Sequence, residues 1–281
     1  MHKADETQPG PGAPLTLVVE RGIATVTLDN AAARNAIDQR SSNALIDAID
    51  RIADDPSVRV VLIRANGPMF CPGASMAFLA PDLSGMAARI DALLTALNPA
   101  LAKLRTLDVV VVTAVHGAVA GGGLGYLNMA DIVVAAQGTK FSLAYSRIGA
   151  TPDLGATWYL PRLLGERRAL ELLILSDGFD ADRAQALGLV NLVFPDAAFD
   201  AETEKLVERL RTGATGSFAA IKRLVRQSHG NTLAEQLDAE RREIVTAACG
   251  SEFGEGVRAF ADRRAPSFVP IGASDSTGDE S

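Results

Sequence analysis

Two short apolar runs, LTLVVE (15–20) and IATVTLD (23–29), lie either side of Arg21-Gly22 near the start of the chain. Runs of this length around a glycine-bearing pair predict a β-hairpin. Residues 38–55, DQRSSNALIDAIDRIADD, change period, and Ile37, Leu45, Ile49 and Ile52 fall near one face of a helix. VRVVLIRA (58–65) and VVVVTAV (109–115) are continuous apolar runs of the kind found in strands covered on both faces. Between them, residues 85–107 read as one long helix. The glycine-rich stretch HGAVAGGGLG (116–125) precedes a short helix and the strand DIVVAA (131–136). Strands alternating with helices imply an α/β core with largely parallel pairing.

Beyond about residue 155 the pattern turns helical. Segments 156–165, 166–175, 180–187, 199–212, 217–228, 232–248 and 252–264 all carry helical spacing, with LVNLVF (189–194) as the lone strand. Residues 1–13 and 269–281 have the Gly, Pro, Ser and acid content of disordered tails. The expected organisation is an α/β core over 14–200 and a C-terminal helical region over 201–268 that covers the core or packs on another subunit.

Composition removes several classes of function. Apolar residues make up 48% and charged residues 22%, as in globular chains. The net charge of −7 argues against a nucleic-acid partner, and the apolar runs are too short to cross a bilayer. Cys71 and Cys249 form no CxxC, and the polar, proline-rich start has no signal-peptide character. A reduced, cytoplasmic setting is therefore expected. The glycines lack dinucleotide-fingerprint spacing, since the third would fall at Tyr126. No GK[ST] follows them, and no GxSxG occurs. His2, His116 and His229 are too dispersed to suggest a metal site, and His116 reads as a hydrogen-bonded structural residue.

What remains is backbone geometry. A buried strand, a glycine turn and a helix start leave unpaired N–H groups at 121–123. A second such turn, NGPMFCPGAS (66–75), follows the earlier strand. Two strand-end turns can each offer one amide to a shared carbonyl oxygen, forming an oxyanion hole; losing one such donor typically costs about 3 kcal/mol in the transition state. Each turn alone also reads as a tight connection that the fold needs.

In order along the chain, NAAARNAID, FCPGAS, HGAVAGGGLG with ADIVVAA, FSLAYSRIGATPDLGATWYLPRLLG and ALGLVNLVF resemble the landmarks of the enoyl-CoA hydratase/isomerase (crotonase) family, over about residues 14–268. The resemblance implies a spiral of ββα units with a C-terminal helical region, assembled as a homotrimer or a dimer of trimers. It also implies an acyl-CoA thioester substrate whose enolate is stabilised. Carried onto this chain, the oxyanion donors are the amides of Ala74 and Gly122, flanked by Gly73 and Gly121 in the two thioester-binding turns. Pro72 and Ser75 depart from the family's Ala-Gly-Ala-Asp turn. Arg34 stands where the family often places a basic residue near the CoA phosphates, although it equally reads as a solvated surface charge. Arg263 or Arg264, in FADRRAPSF, resembles the C-terminal basic motif.

Family hydratases use two glutamates, and the matching positions here are Gly125 and Tyr145. Neither is a carboxylate, and an unperturbed tyrosine titrates near 10. Moving a double bond needs a single acid. Asp153 stands where isomerases of the family, including the phenylacetate-pathway type, place theirs. Following Pro152 and preceding a helix, Asp153 also reads as an N-cap; capping would lower its pKa and an apolar pocket would raise it. Asp29 ends a strand, Asp131 begins one and Glu166 lies in a helix after the site, so all three are weaker candidates. The favoured reading is an enoyl-CoA isomerase, with a non-catalytic acyl-CoA-binding protein and a hydratase as alternatives. No metal or redox cofactor is expected, and coenzyme A enters only as part of the substrate. Met76, Phe78, Leu79, Met86, Tyr126, Tyr145 and Trp158 read either as acyl-pocket walls or as plain core.

Overall fold

The computed structural model describes residues 12–268, so the expected tails fall almost entirely outside it. The hairpin forms as read: β1 (Leu15–Glu20) and β2 (Ile23–Leu28) pair antiparallel. Arg21 (φ 51°) and Gly22 (φ 82°) both turn left-handed between them, as a two-residue hairpin loop requires. Next, α1 (Gln39–Asp54) starts at a capping box, in which the Ser41 N–H donates to the Asp38 carboxylate and the Asp38 N–H donates to the Ser41 hydroxyl. β3 (Val60–Ala65), α2 (Met76–Leu79), α3 (Met86–Thr106) and β4 (Val110–Val115) follow. After them come β5 (Ala118–Ala120), α4 (Leu124–Met129), β6 (Ile132–Ala136), β7 (Lys140–Ser142), α5 (Ala156–Leu164) and α6 (Glu166–Leu175). The chain finishes with β8 (Phe179–Asp180), α7 (Ala181–Ala186), β9 (Leu192–Phe194), α8 (Phe199–Arg211), α9 (Thr215–Gln227), α10 (Leu233–Ala248) and α11 (Ser251–Ala261).

Two sheets result. The larger runs β1-β2-β3-β4-β6-β9 and is parallel beyond the hairpin; the smaller is β5-β7-β8. Successive turns of the chain leave the large sheet, cross a second layer and return through helix. β4 crosses by β5 to α4, and β6 crosses by β7 to α5. Earlier turns cross as single bridges: Ile37 pairs with Ala74, and Cys71 pairs with Val119, both in parallel. This is the expected spiral of ββα units, followed by the C-terminal helices. The small sheet escapes a hydropathy reading because its strands span three, three and two residues, too short for a period to register. β8 also corrects the reading of 189–194 as the lone strand after residue 155.

The large sheet is covered on both sides, which explains its unbroken apolar runs. Val61, Ile63, Val111 and Val115 face Leu45, Ile49 and Leu97 of α1 and α3. Val60, Leu62, Val112 and Val134 face Phe199 and Val207 of α8. Starting at the expected end of the core, α8 is thus the sheet's outer layer. Each fully buried side chain of this size contributes roughly 1.5–3 kcal/mol, and the strand ends that carry the glycine turns are anchored by this packing.

Candidate active site

The two glycine turns meet at a fork in the second layer. Cys71 and Val119 pair side by side: the Cys71 N–H donates to the Ala118 carbonyl (3.2 Å), and the Ala120 N–H donates to the Cys71 carbonyl (2.9 Å). Two residues on, the first segment has changed partner. The Ile37 N–H donates to the Gly73 carbonyl (2.8 Å), and the Ser75 N–H donates to the Ile37 carbonyl (2.7 Å). In a parallel bridge of this kind, the Ala74 N–H points away from Ile37, back toward the strand just abandoned. Opposite it, residues 121–123 coil into a single 3-10 turn, whose first N–H groups have no partner within the turn. Neither the Ala74 nor the Gly122 amide donates a hydrogen bond among the described residues.

Gly73 fixes the spacing of the fork. Its φ is +95°, and a methyl group there would lie 2.9 Å from the Ala120 oxygen and 3.0 Å from the Gly122 nitrogen. Only glycine allows that approach. Gly121 (φ +47°) turns the second strand into its coil. The structure thus brings Gly73, Ala74, Gly121 and Gly122 together, as the sequence reading expects.

Asp153 adjoins the same point. A Cβ placed on Gly122 would lie 3.7 Å from Asp153 Oδ1, and 3.3 Å from Leu154 Cδ1. The N-cap of α5 is Gly155 (φ 81°), which corrects the capping reading of the Asp153 side chain. Only the backbone carbonyl of Asp153 accepts a helix-start N–H, from Ala156 (3.0 Å). The carboxylate instead accepts the Tyr145 hydroxyl at Oδ1 (2.7 Å). Burial raises the pKa of Asp153 above the ordinary carboxylate value, opposed by the Tyr145 hydrogen bond and by the aspartate's own amide. Burial and the neighbouring aspartate push the Tyr145 phenol far upward, so it is neutral and donates.

Neither hydratase position can supply a second acid. At Gly125, a Cβ would stand 2.7 Å from the Cβ of Leu154, a buried residue held at φ 46°. Leu154 therefore fills the space that a side chain at 125 would enter. Its role and that of the Tyr145 hydroxyl were missed in the sequence, because no local pattern links residue 125 to 154 or 145 to 153.

Other candidates separate. Arg34 is exposed (φ 56°) on the loop leading to Ile37. Arg264 is held by Glu255 (2.6 and 3.0 Å), so its guanidinium already has an anionic partner, while Arg263 is exposed. Tyr126 is core, packed edge-on against Phe70. Met76 and Trp158 are exposed, and Phe78, Leu79 and Met86 are half-buried. The His116 ring lies 2.8 Å from the Gly67 carbonyl, a structural bond. Among the described residues no helix is long and apolar enough to cross a membrane, and no group of three His, Cys, Asp or Glu is placed to hold a metal ion.

Asp131 is an acid of another kind. It accepts the Val111 N–H (2.9 Å), Arg226 (2.9 Å), Arg105 (3.4 Å) and Lys222 (2.5 Å). Lys222 also donates to the Val109 carbonyl. Burial draws the Lys222 pKa down to about 8, against the pull of Asp131.

A two-sheet spiral whose glycine turns meet at a fork is the architecture of the enoyl-CoA hydratase/isomerase, or crotonase, class. This chain belongs to that family, whose model matches residues 19–270. Among its relatives is 1,2-epoxyphenylacetyl-CoA isomerase of Escherichia coli (strain K12), 32% identical and covering 89% of this chain and 96% of its own length. Another is trans-2-decenoyl-[acyl-carrier-protein] isomerase of Streptococcus mutans, 31% identical with the same coverage. The crystal structure of an enoyl-CoA hydratase from Polaromonas sp. JS666 superposes with a TM-score of 0.84 at 32% identity, covering 90% of this chain and 98% of that one. Isomerase and hydratase stand at equal identity, so overall likeness does not choose between the two reactions.

Proposed function

We propose that this protein moves the double bond of an unsaturated acyl-CoA using one acid. The thioester carbonyl sits in the fork and accepts the N–H groups of Ala74 and Gly122. Asp153 takes a proton from C2, the two amides hold the enolate oxygen, and the same carboxyl group returns the proton at C4. The observation that carries this reading is the surroundings of Asp153: an acid beside Gly122, raised by burial, with no cation acting on it. Such an acid is better matched to proton exchange near neutral pH than an ordinary carboxylate. Hydration needs a second acid, and Gly125 and Tyr145 provide none.

Arg34 is proposed to approach the CoA phosphates, and no separate cofactor is invoked. Assembly as a homotrimer or dimer of trimers is supported by exposed apolar residues on the C-terminal helices, among them Ile221, Val225, Leu237, Val245, Val257 and Phe260.

Incubation with 3-enoyl-CoA and with crotonyl-CoA, followed by the absorbance of the conjugated thioester, tests the reaction. Conjugation appearing from the 3-enoyl substrate, and lost in Asp153→Asn, is the expected result. Loss of conjugation from crotonyl-CoA would indicate hydration instead, and tight CoA binding with neither change would indicate a binding protein.

A further inference from the structure

We infer that Tyr145 is the positioning residue of this site: its hydroxyl holds Asp153 ionised and in one orientation, leaving Oδ2 to carry the proton. The inference rests on the one-acid reading above and adds to it the group that makes a lone buried carboxylate usable.

The geometry is specific. Tyr145 is buried, and a buried phenol hydroxyl needs a partner; among the described residues its partner is Asp153 Oδ1 at 2.7 Å. Oδ2 accepts no hydrogen bond from another side chain there. The ring projects from a fixed turn, because the Tyr145 N–H donates to the Leu143 carbonyl (2.7 Å). Its own carbonyl accepts the N–H groups of Ile148 (3.2 Å) and Ala150 (3.0 Å). Asp153 lies eight residues further on in the same β7–α5 connection, beyond a single 3-10 turn, and is tied to α5 through its carbonyl. The Tyr145–Asp153 hydrogen bond closes the two ends of that connection on each other beside Gly122.

The chemistry requires such a bond. Burial alone favours the protonated acid, and a protonated Asp153 cannot take a proton from C2. A hydrogen bond to the carboxylate opposes that tendency. Among the described residues no other group does so from outside the residue. The segment with Gly122, Leu124 and Gly125 presents nothing titratable. Cys71, which acts on Tyr145, is neutral because burial pushes its thiol up to about 12.

The test is a pH titration of the Asp153 carboxyl carbon by NMR in protein labelled with 13C-aspartate, with the resonance identified by its absence in Asp153→Asn. It is run alongside the pH profile of kcat/KM on 3-enoyl-CoA. In Tyr145→Phe the Asp153 midpoint and the acidic limb should both move up by about one to two pH units, the size of a hydrogen bond to a charged group. kcat at pH 7 should fall roughly tenfold with KM within about twofold. Replacing Tyr145 by 3-fluorotyrosine, which keeps the shape and strengthens the donor, should move both down, and it serves if the phenylalanine variant does not fold. An unmoved Asp153 midpoint in both variants overturns the inference. Should Asp153→Asn keep wild-type turnover, it is the one-acid reading that falls. An inactive Asp153→Asn with an unmoved midpoint leaves that reading standing and removes this one.

Discussion

Asp131 and Asp153 are both largely withdrawn from water, yet their surroundings are opposite. Asp131, ahead of β6, is surrounded by Arg105, Lys222, Arg226 and a backbone amide. Asp153, ahead of α5, receives one neutral hydroxyl and its own amide, and no cation. The first acid has every lone pair engaged and fastens α9 to the end of the large sheet where β4 and β6 begin. The second is under-compensated, which destabilises its charge and, on the proposed mechanism, readies it to exchange a proton. Burial alone therefore does not mark a chemical role; burial with too few partners does.

The sharpest way to break this contrast is to neutralise each acid. Asp153→Asn should cut kcat/KM on 3-enoyl-CoA by about 10²–10⁴-fold without lowering the melting temperature at pH 7. The sign follows from linkage. Asp153 has a raised pKa in the fold, so between the ordinary carboxylate value and the raised one the unfolded chain binds fewer protons. Stability falls as pH rises through that window, and an amide escapes the cost. A clear drop in melting temperature would place Asp153 with Asp131 as a fastener.

Asp131→Ala should do the reverse, leaving three cations without their shared anion and destabilising the fold by about 3–5 kcal/mol in urea unfolding. The folded fraction should keep its KM. A smaller effect is expected for Gly125→Glu, which restores a hydratase carboxylate in name only. Overpacking against Leu154 should cost about 1–3 kcal/mol, and crotonyl-CoA should remain unhydrated; measurable hydration would show that Leu154 yields. The smallest effect concerns Lys222. Its folded pKa of about 8 lies below the ordinary lysine value, so the unfolded chain holds a proton that the folded one releases. Stability should rise as pH climbs from about 8 toward that value, and the rise should be missing in Lys222→Met when urea midpoints are compared.

Much of this was legible in the chain. The large sheet and nearly every helix follow from hydropathy period, and the glycine turns follow from their own composition. The fork was legible only as two turns plus a family likeness, because their meeting depends on Ile37 drawing residues 73–75 away from the 119–122 strand, a contact between distant segments. Asp131 looked like a strand start, since the three cations that surround it come from α3 and α9. Asp153 looked more like a base than a cap, and the cap is removed by Gly155 at the start of α5 and by Tyr145, whose phenol reaches the carboxylate through the folded turn rather than along the sequence.

The donors at the fork belong to the peptide link itself. At position 74, no codon short of proline's deletes an N–H, and at position 122 a larger residue crowds the cradle without abolishing the group. The proton-moving half proposed here, one aspartate and one phenol, consists of side chains that a single substitution removes. On that proposal, descendants of such a chain would swap reactions more readily than they would lose a cradle built from peptide N–H groups.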